Sequence, residues 1–278
     1  MKRIALLIAA VAWAGTASAF SPTSVVGSSH DLSATGKDVN SAATQAQGQV
    51  CVYCHMPHNA SNVGAPLWNR TNSTSSFQMY SSANSSTFVL NAADTNTAAR
   101  AVGPVSLACL SCHDGVTAFN SLNQTPMIDS DNNVFASSYT FATTGTTPAA
   151  VTNMAQASAP GAGSADLGTD LTNDHPISFT YDSALASLKG TTLRDPAANA
   201  ADGNGTGNLV IYRAGGSTGS IAQQMLFVNP IANKTSQLEC ASCHEPHMQG
   251  DLTSAASNYP FLIKSNQNSN LCLTCHAK

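Results

Sequence analysis

Four C-x-x-C-H units set the terms for what this chain can fold into. They stand at Cys51/Cys54/His55, Cys109/Cys112/His113, Cys240/Cys243/His244 and Cys272/Cys275/His276, and they use all eight cysteines. Two thiols two residues apart can add to the two vinyl groups of one porphyrin. The histidine that follows then lies under the iron as proximal ligand. Disulfides are another reading of paired cysteines in an exported protein, and two four-cysteine zinc sites are a third. Neither requires a histidine directly after every pair, so the pattern points to four covalently bound haem c groups.

The histidines match that demand. The chain has eight, and four are the proximal candidates. The others are His30, His58, His175 and His247, and four irons with two axial imidazoles each leave none spare. Met56, Met79, Met127, Met154, Met225 and Met248 are alternative distal ligands and would raise the potential. With enough histidines present, they read as packing residues. His58 and His247 both sit in C-x-x-C-H-x-P-H. A residue three positions after the proximal histidine cannot reach the opposite face of the same iron, so each is expected to serve a second haem. Six-coordinate bis-histidine iron suits electron transfer at the low end of the potential range. No side chain is assigned to acid–base or nucleophilic work, so the expectation is an electron carrier and not an enzyme.

Residues 1–19 have a basic start, an apolar run and Ala17-Ser18-Ala19, which predicts a cleaved secretory signal peptide. Its removal takes Lys2 and Arg3 and moves the net charge from −4 to −6. That charge gives no nucleic-acid-binding surface. No later segment is apolar enough to span a bilayer, so the product is expected to be exported. Charged residues make up only 9% of the chain, and Ser, Thr, Asn, Ala and Gly abound, a composition that leans toward loops and weak cores. The predicted fold is a multihaem cytochrome c. It is mostly irregular, with short helices near the haem sites, a few short strands and haems forming the core.

In order, residues 20–50 form a polar arm carrying His30 within Ser28-Ser29-His30-Asp31-Leu32-Ser33. Residues 51–113 form a first two-haem module, with Trp68 as a packing or porphyrin-stacking residue and residues 71–100 as a surface excursion. Residues 114–239 form a haem-free insert of loops and strands with one histidine, His175. Strand character falls at residues 138–141, 177–181, 209–212 and 225–228. The last two flank Gly215-Gly216-Ser217-Thr218-Gly219, which predicts a hairpin. Residues 143–169 read as loop. Asp129, Asp131 and Asn133 start like a calcium loop, but Val134 stands where its glycine belongs, which favours a polar turn. Residues 240–278 form the second two-haem module. The unit H…CxxCHxPH…CLxCH thus occurs twice, each copy with a proline-led patch, Pro66-Leu67-Trp68 and Pro260-Phe261-Leu262.

With this doubled pattern, eight histidines, a signal peptide and few charges, the chain resembles the outer-surface tetrahaem cytochromes of metal-reducing bacteria, the OmcE type. The resemblance covers the haem modules well and residues 114–239 loosely. It implies subunits that polymerise into extracellular filaments with a continuous haem chain, carrying electrons to external acceptors such as metal oxides. It also implies one axial histidine supplied by a neighbouring subunit. His30, on its polar arm, is the candidate for that role, and His30→Ala is then expected to abolish polymerisation. Two alternatives stay open. One is a soluble periplasmic shuttle between a quinol dehydrogenase and a terminal reductase. The other is a multihaem nitrite or hydroxylamine reductase, which needs a five-coordinate iron.

Overall fold

The computed structural model describes residues 25–33, 50–61, 64–81, 83–91, 94, 100–123, 139–140, 150–151, 153–157, 165–197, 209–210, 218–230, 232–247, 261–264 and 266–277. Among these, regular structure is sparse and short. The longest helix is Pro104–His113, opened by a proline whose missing N–H costs nothing in the first turn. Each C-x-x-C-H motif lies on a helical turn: Val50–Tyr53, the end of Pro104–His113, Cys240–Ser242 and Cys272–Cys275. The spacing explains this, because one turn of helix brings residues three apart to the same side. In the first, third and fourth motifs the histidine N–H closes the turn on the carbonyl of the leading cysteine, at 2.8 Å for His55, 3.0 Å for His244 and 2.9 Å for His276.

The strands are β1 (Tyr139–Thr140), β2 (Ala150–Val151), β3 (Phe179–Thr180), β4 (Leu209–Val210), β5 (Thr218–Gly219), β6 (Phe227–Asn229) and β7 (Lys234–Leu238). They form antiparallel sheets β1-β2, β3-β7-β6 and β4-β5. Strand positions agree with the expected runs, but the expected hairpin does not form between its two runs. Leu209 pairs with Gly219, whereas Phe227 pairs with Gln237 on β7. β7 reads Lys-Thr-Ser-Gln-Leu and lacks an apolar alternation, so it carries no strand signal in sequence. Met154–Ala157 is helical inside the stretch read as loop. The Asp129, Asp131 and Asn133 turn lies outside the described residues, as does the predicted signal peptide.

Three apolar clusters lie between the motifs. The largest joins the insert to the second module through Phe179, Tyr181, Leu185, Ile221, Met225, Leu238, Ile263 and Leu271. Tyr53 and Phe119 centre the second, and Val102, Leu110 and Leu171 the third. Residues 71–100 are more than a surface excursion. Phe88 and Leu90 pack on the largest cluster, while Phe77 and Met79 pack on the third. Asp94, 1% exposed, pairs with Lys234 and accepts the N–H of Thr180 at 2.6 Å. Met225 and Met154 also serve as packing residues.

One buried polar joint fixes the two modules against each other. Glu239, 2% exposed, accepts from the hydroxyls of Ser178 (2.9 Å) and Ser106. Ser106 Oγ in turn accepts the N–H of Cys240 at 3.0 Å, and Ser178 Oγ accepts that of Gly103 at 2.8 Å. Burial raises the Glu239 carboxyl above its ordinary range, offset by these hydrogen bonds. A Cβ on Gly103 would overlap the Glu239 carboxylate. Gly103→Ala is therefore expected to destabilise the protein by about 1–3 kcal/mol, measurable as a lower denaturation midpoint. An unchanged midpoint would show that the joint yields at no cost.

Candidate haem-binding site

The two modules are built alike beyond their motifs. Met56 N–H donates to Leu67 O (2.8 Å), and Glu245 N–H to Phe261 O (2.7 Å). Asn69 N–H donates to Cys54 O (2.8 Å), and Ile263 N–H to Cys243 O (3.0 Å). Leu67 and Phe261 both adopt left-handed φ, 54° and 64°. Four residues after the proline, each module buries a cation, Arg70 at 1% exposure and Lys264 at 5%. Arg70 Nε donates to Ser111 Oγ (3.0 Å), and Lys264 Nζ to Thr274 Oγ1 (3.1 Å). Ser111 and Thr274 hold the same place in C-L-S-C and C-L-T-C. Sequence reasoning missed these cations because lysine and arginine are rarely buried. A positive charge at the same distance from the proline in both copies was the available signal.

Three histidine pairs come together, each joining one motif histidine to one outside the motifs. His30 and His113 have ring centres 6.2 Å apart, His55 and His247 5.9 Å, and His175 and His276 6.3 Å. Two imidazoles trans on one metal, with bonds of about 2.0–2.1 Å and ring centres about 1.1 Å further out, stand roughly 6.3 Å apart. All three spacings fit one shared iron. The Nδ1 atoms of His55, His113, His30 and His175 lie 2.7, 2.6, 3.2 and 2.9 Å from the carbonyls of Pro66, Ala165, Pro246 and Pro176. His247 Nδ1 lies 2.7 Å from Glu245 Oε1. An acceptor on Nδ1 sets that nitrogen as the protonated one and leaves Nε2 as the ligand.

Electrostatics favour neutral imidazoles at His30 and His113, both half-buried. Burial, with His113 next, holds His30 down to about 4. Burial likewise lowers His113. His244 keeps an exposed face, yet the protein packed around it lowers its pKa, with His113 adding to the effect. His247 moves the other way because its hydrogen bond to Glu245 stabilises the charged ring. Trp68 is 8% exposed, meets His55 edge-on at 5.9 Å and buries an indole N–H that has no acceptor among the described residues. Such a donor suits an anionic group like a haem carboxylate.

The arm residue His30 is held by its own loop. Asp31, fully buried, accepts the N–H groups of Gly27 (2.8 Å) and Ser33 (3.0 Å). The His30 ring stacks on Phe261 at 4.1 Å. His30 therefore faces a histidine of its own chain. The two histidines that meet no other histidine ring among the described residues are His58 and His244, both exposed.

The thiols are unbridged. Shared contacts link the motifs. Cys54 and Cys112 pack on the cluster of Tyr53 and Phe119, Ser106 on the helix of the second motif accepts the Cys240 N–H at 3.0 Å, and Cys243 and Cys275 pack on the largest cluster. Each motif thus neighbours the next one in the chain. Burial pushes Cys54 and Cys275 up to about 12, so both are thiols at neutral pH. Among the described residues no three His, Cys, Asp or Glu side chains gather as a bare metal-ion site, and no helix is long and apolar enough to cross a membrane. No protein-family model and no curated protein matches the chain.

Proposed function

We propose that this chain carries electrons through four bis-histidine c-type haems and is the repeating unit of an extracellular filament. The observation that carries the reading is the set of three histidine pairs, each uniting a motif histidine with a distant one at the spacing of a shared iron. Haem iron supplies reversible one-electron chemistry. The protein's own residues fix the ligand rings through Nδ1, exclude water and hold the attachment sites in a row.

The pairings follow a rule. The histidine preceding each module faces that module's second motif: His30 with His113, His175 with His276. The histidine after the proline in the second module reaches back to the first motif of the module before it, His247 with His55. Applied to His58, the same rule reaches back to the first motif of a preceding second module, which is His244 of another copy. Leu67 supports this. It is 53% exposed, while its repeat counterpart Phe261 is 9% exposed beneath His30. The role first given to His30 passes to His58, with His244 as its partner across the interface.

The test combines mass, spin state and microscopy of the secreted protein. Expected are four added haems, fully low-spin iron, and filaments in electron micrographs. Within each chain, paramagnetic resonance should show one pair with near-parallel imidazoles and two near-perpendicular, as the interplanar angles of 16°, 73° and 75° require. Soluble monomers with one high-spin haem would sink the polymer reading. A chain without haem would sink all of it.

A further inference from the structure

The rings of His30, His55, His113 and His175 are held by neutral backbone carbonyls, whereas His247 is held by a carboxylate. We infer that Glu245 is a positioning residue that lowers the reduction potential of the haem held by His55 and His247, and that Met56 leaves the matching haem at His244 without this effect. The inference rests on the bis-histidine reading above.

The geometry is specific. Glu245 Oε1 lies 2.7 Å from His247 Nδ1 and also accepts the backbone N–H of His247 at 3.2 Å. A carboxylate only accepts, so the proton between them is the ring's. The oxygen draws that proton toward itself and builds negative charge on the imidazole. A more anionic ligand stabilises the ferric state over the ferrous one, by the same second-shell logic that raises the basicity of metal-bound histidines. Reduction of that iron takes up one electron, so the couple moves down.

The repeat supplies the control. Met56 occupies the place of Glu245 in the first C-x-x-C-H-x-P-H. A thioether is a weak acceptor and carries no charge. Two sites with the same local backbone therefore differ at this residue, and each chain contributes one lowered couple and one without it. Along a polymer the lowered site would recur once per subunit.

The experiment uses the full haem-loaded protein. Glu245→Gln keeps a side-chain acceptor and removes the charge. Expected are four haems by mass, all low-spin, with one couple raised by about tenfold in its reduction equilibrium, 59 mV for one electron, and the other three unmoved. Met56→Glu should lower a different couple. If Glu245 only fixes the ring, the glutamine variant keeps all four potentials, and that result overturns the proposal. Should Glu245→Gln fail to be secreted, Met56→Glu decides alone, and four unmoved couples would overturn it. Failure of the underlying pairing is read separately: His247→Ala would then leave every iron low-spin.

Discussion

Replacing His58 by alanine is expected to leave four haems on every chain and to remove the filament. The four C-x-x-C-H units are untouched, so covalent attachment proceeds. The three histidine pairs within the chain are also untouched. What is lost is the exposed ring that would complete a site on a neighbouring copy. In the proposed assembly that ring supplies the iron–imidazole bond at each junction, so its loss should act as all-or-none on assembly. One haem per chain should turn high-spin. His30→Ala gives the contrasting result, with polymerisation retained and one iron opened inside the chain, since His30 lies against His113. Leu67→Asp should weaken assembly without changing spin state in the monomer's own three pairs. The measurement is electron microscopy beside an optical spectrum. Filaments from His58→Ala would exclude the assignment, and loss of filaments on His30→Ala alone would return the role to the arm.

Replacing Arg70 by methionine is expected to cost the fold the most. The guanidinium is 1% exposed and spends its donors on Ser111 Oγ (3.0 Å), Ser111 O (2.8 Å), Phe119 O (2.7 Å) and Ala118 O (2.9 Å). It thereby ties the segment after the first motif to the end of helix Pro104–His113 and to the loop beyond it. Methionine fills much of the volume but leaves four acceptors, three of them buried, without their donor, at about 1 kcal/mol or more each, so a loss of roughly 3–5 kcal/mol is expected. Arg70→Lys should fall between, because an ammonium has three donors and cannot reproduce the planar fork. Lys264→Met should cost less for the same reason. Denaturant titration of the haem-loaded variants, followed by the fluorescence of Trp68 beside His55, reads these differences. A midpoint for Arg70→Met equal to that of the parent would show the clamp to be dispensable.

Much of the candidate site is legible in the chain because its chemistry is local. Two thiols and a histidine within five residues occupy one helical turn, and each motif in fact lies on such a turn. The insert was harder. β7 (Lys234–Leu238) has no apolar alternation and is defined only by its neighbours β3 and β6. The burial of Asp94 against Lys234 and Thr180 links positions with no shared local pattern. Glu239 looks like an ordinary charged residue before a motif, yet it is the joint that ties the helix of the second motif to the start of the third.

By itself the sequence determines the parts: eight cysteines, eight histidines, two copies of one unit, and hence how many attachment motifs and candidate ligands the chain can supply. It does so because thioether and proximal-ligand chemistry depend on spacing within a few residues. Which distal histidine meets which motif is decided only in three dimensions, since His30, His247 and His175 meet partners far away along the chain. Those meetings rest on the Asp31 loop, the Glu239 joint and the stack of His30 on Phe261, which are packing events between distant segments. The tertiary structure pairs His30 with His113 of its own chain, which is why the proposed intersubunit role falls to His58 and His244.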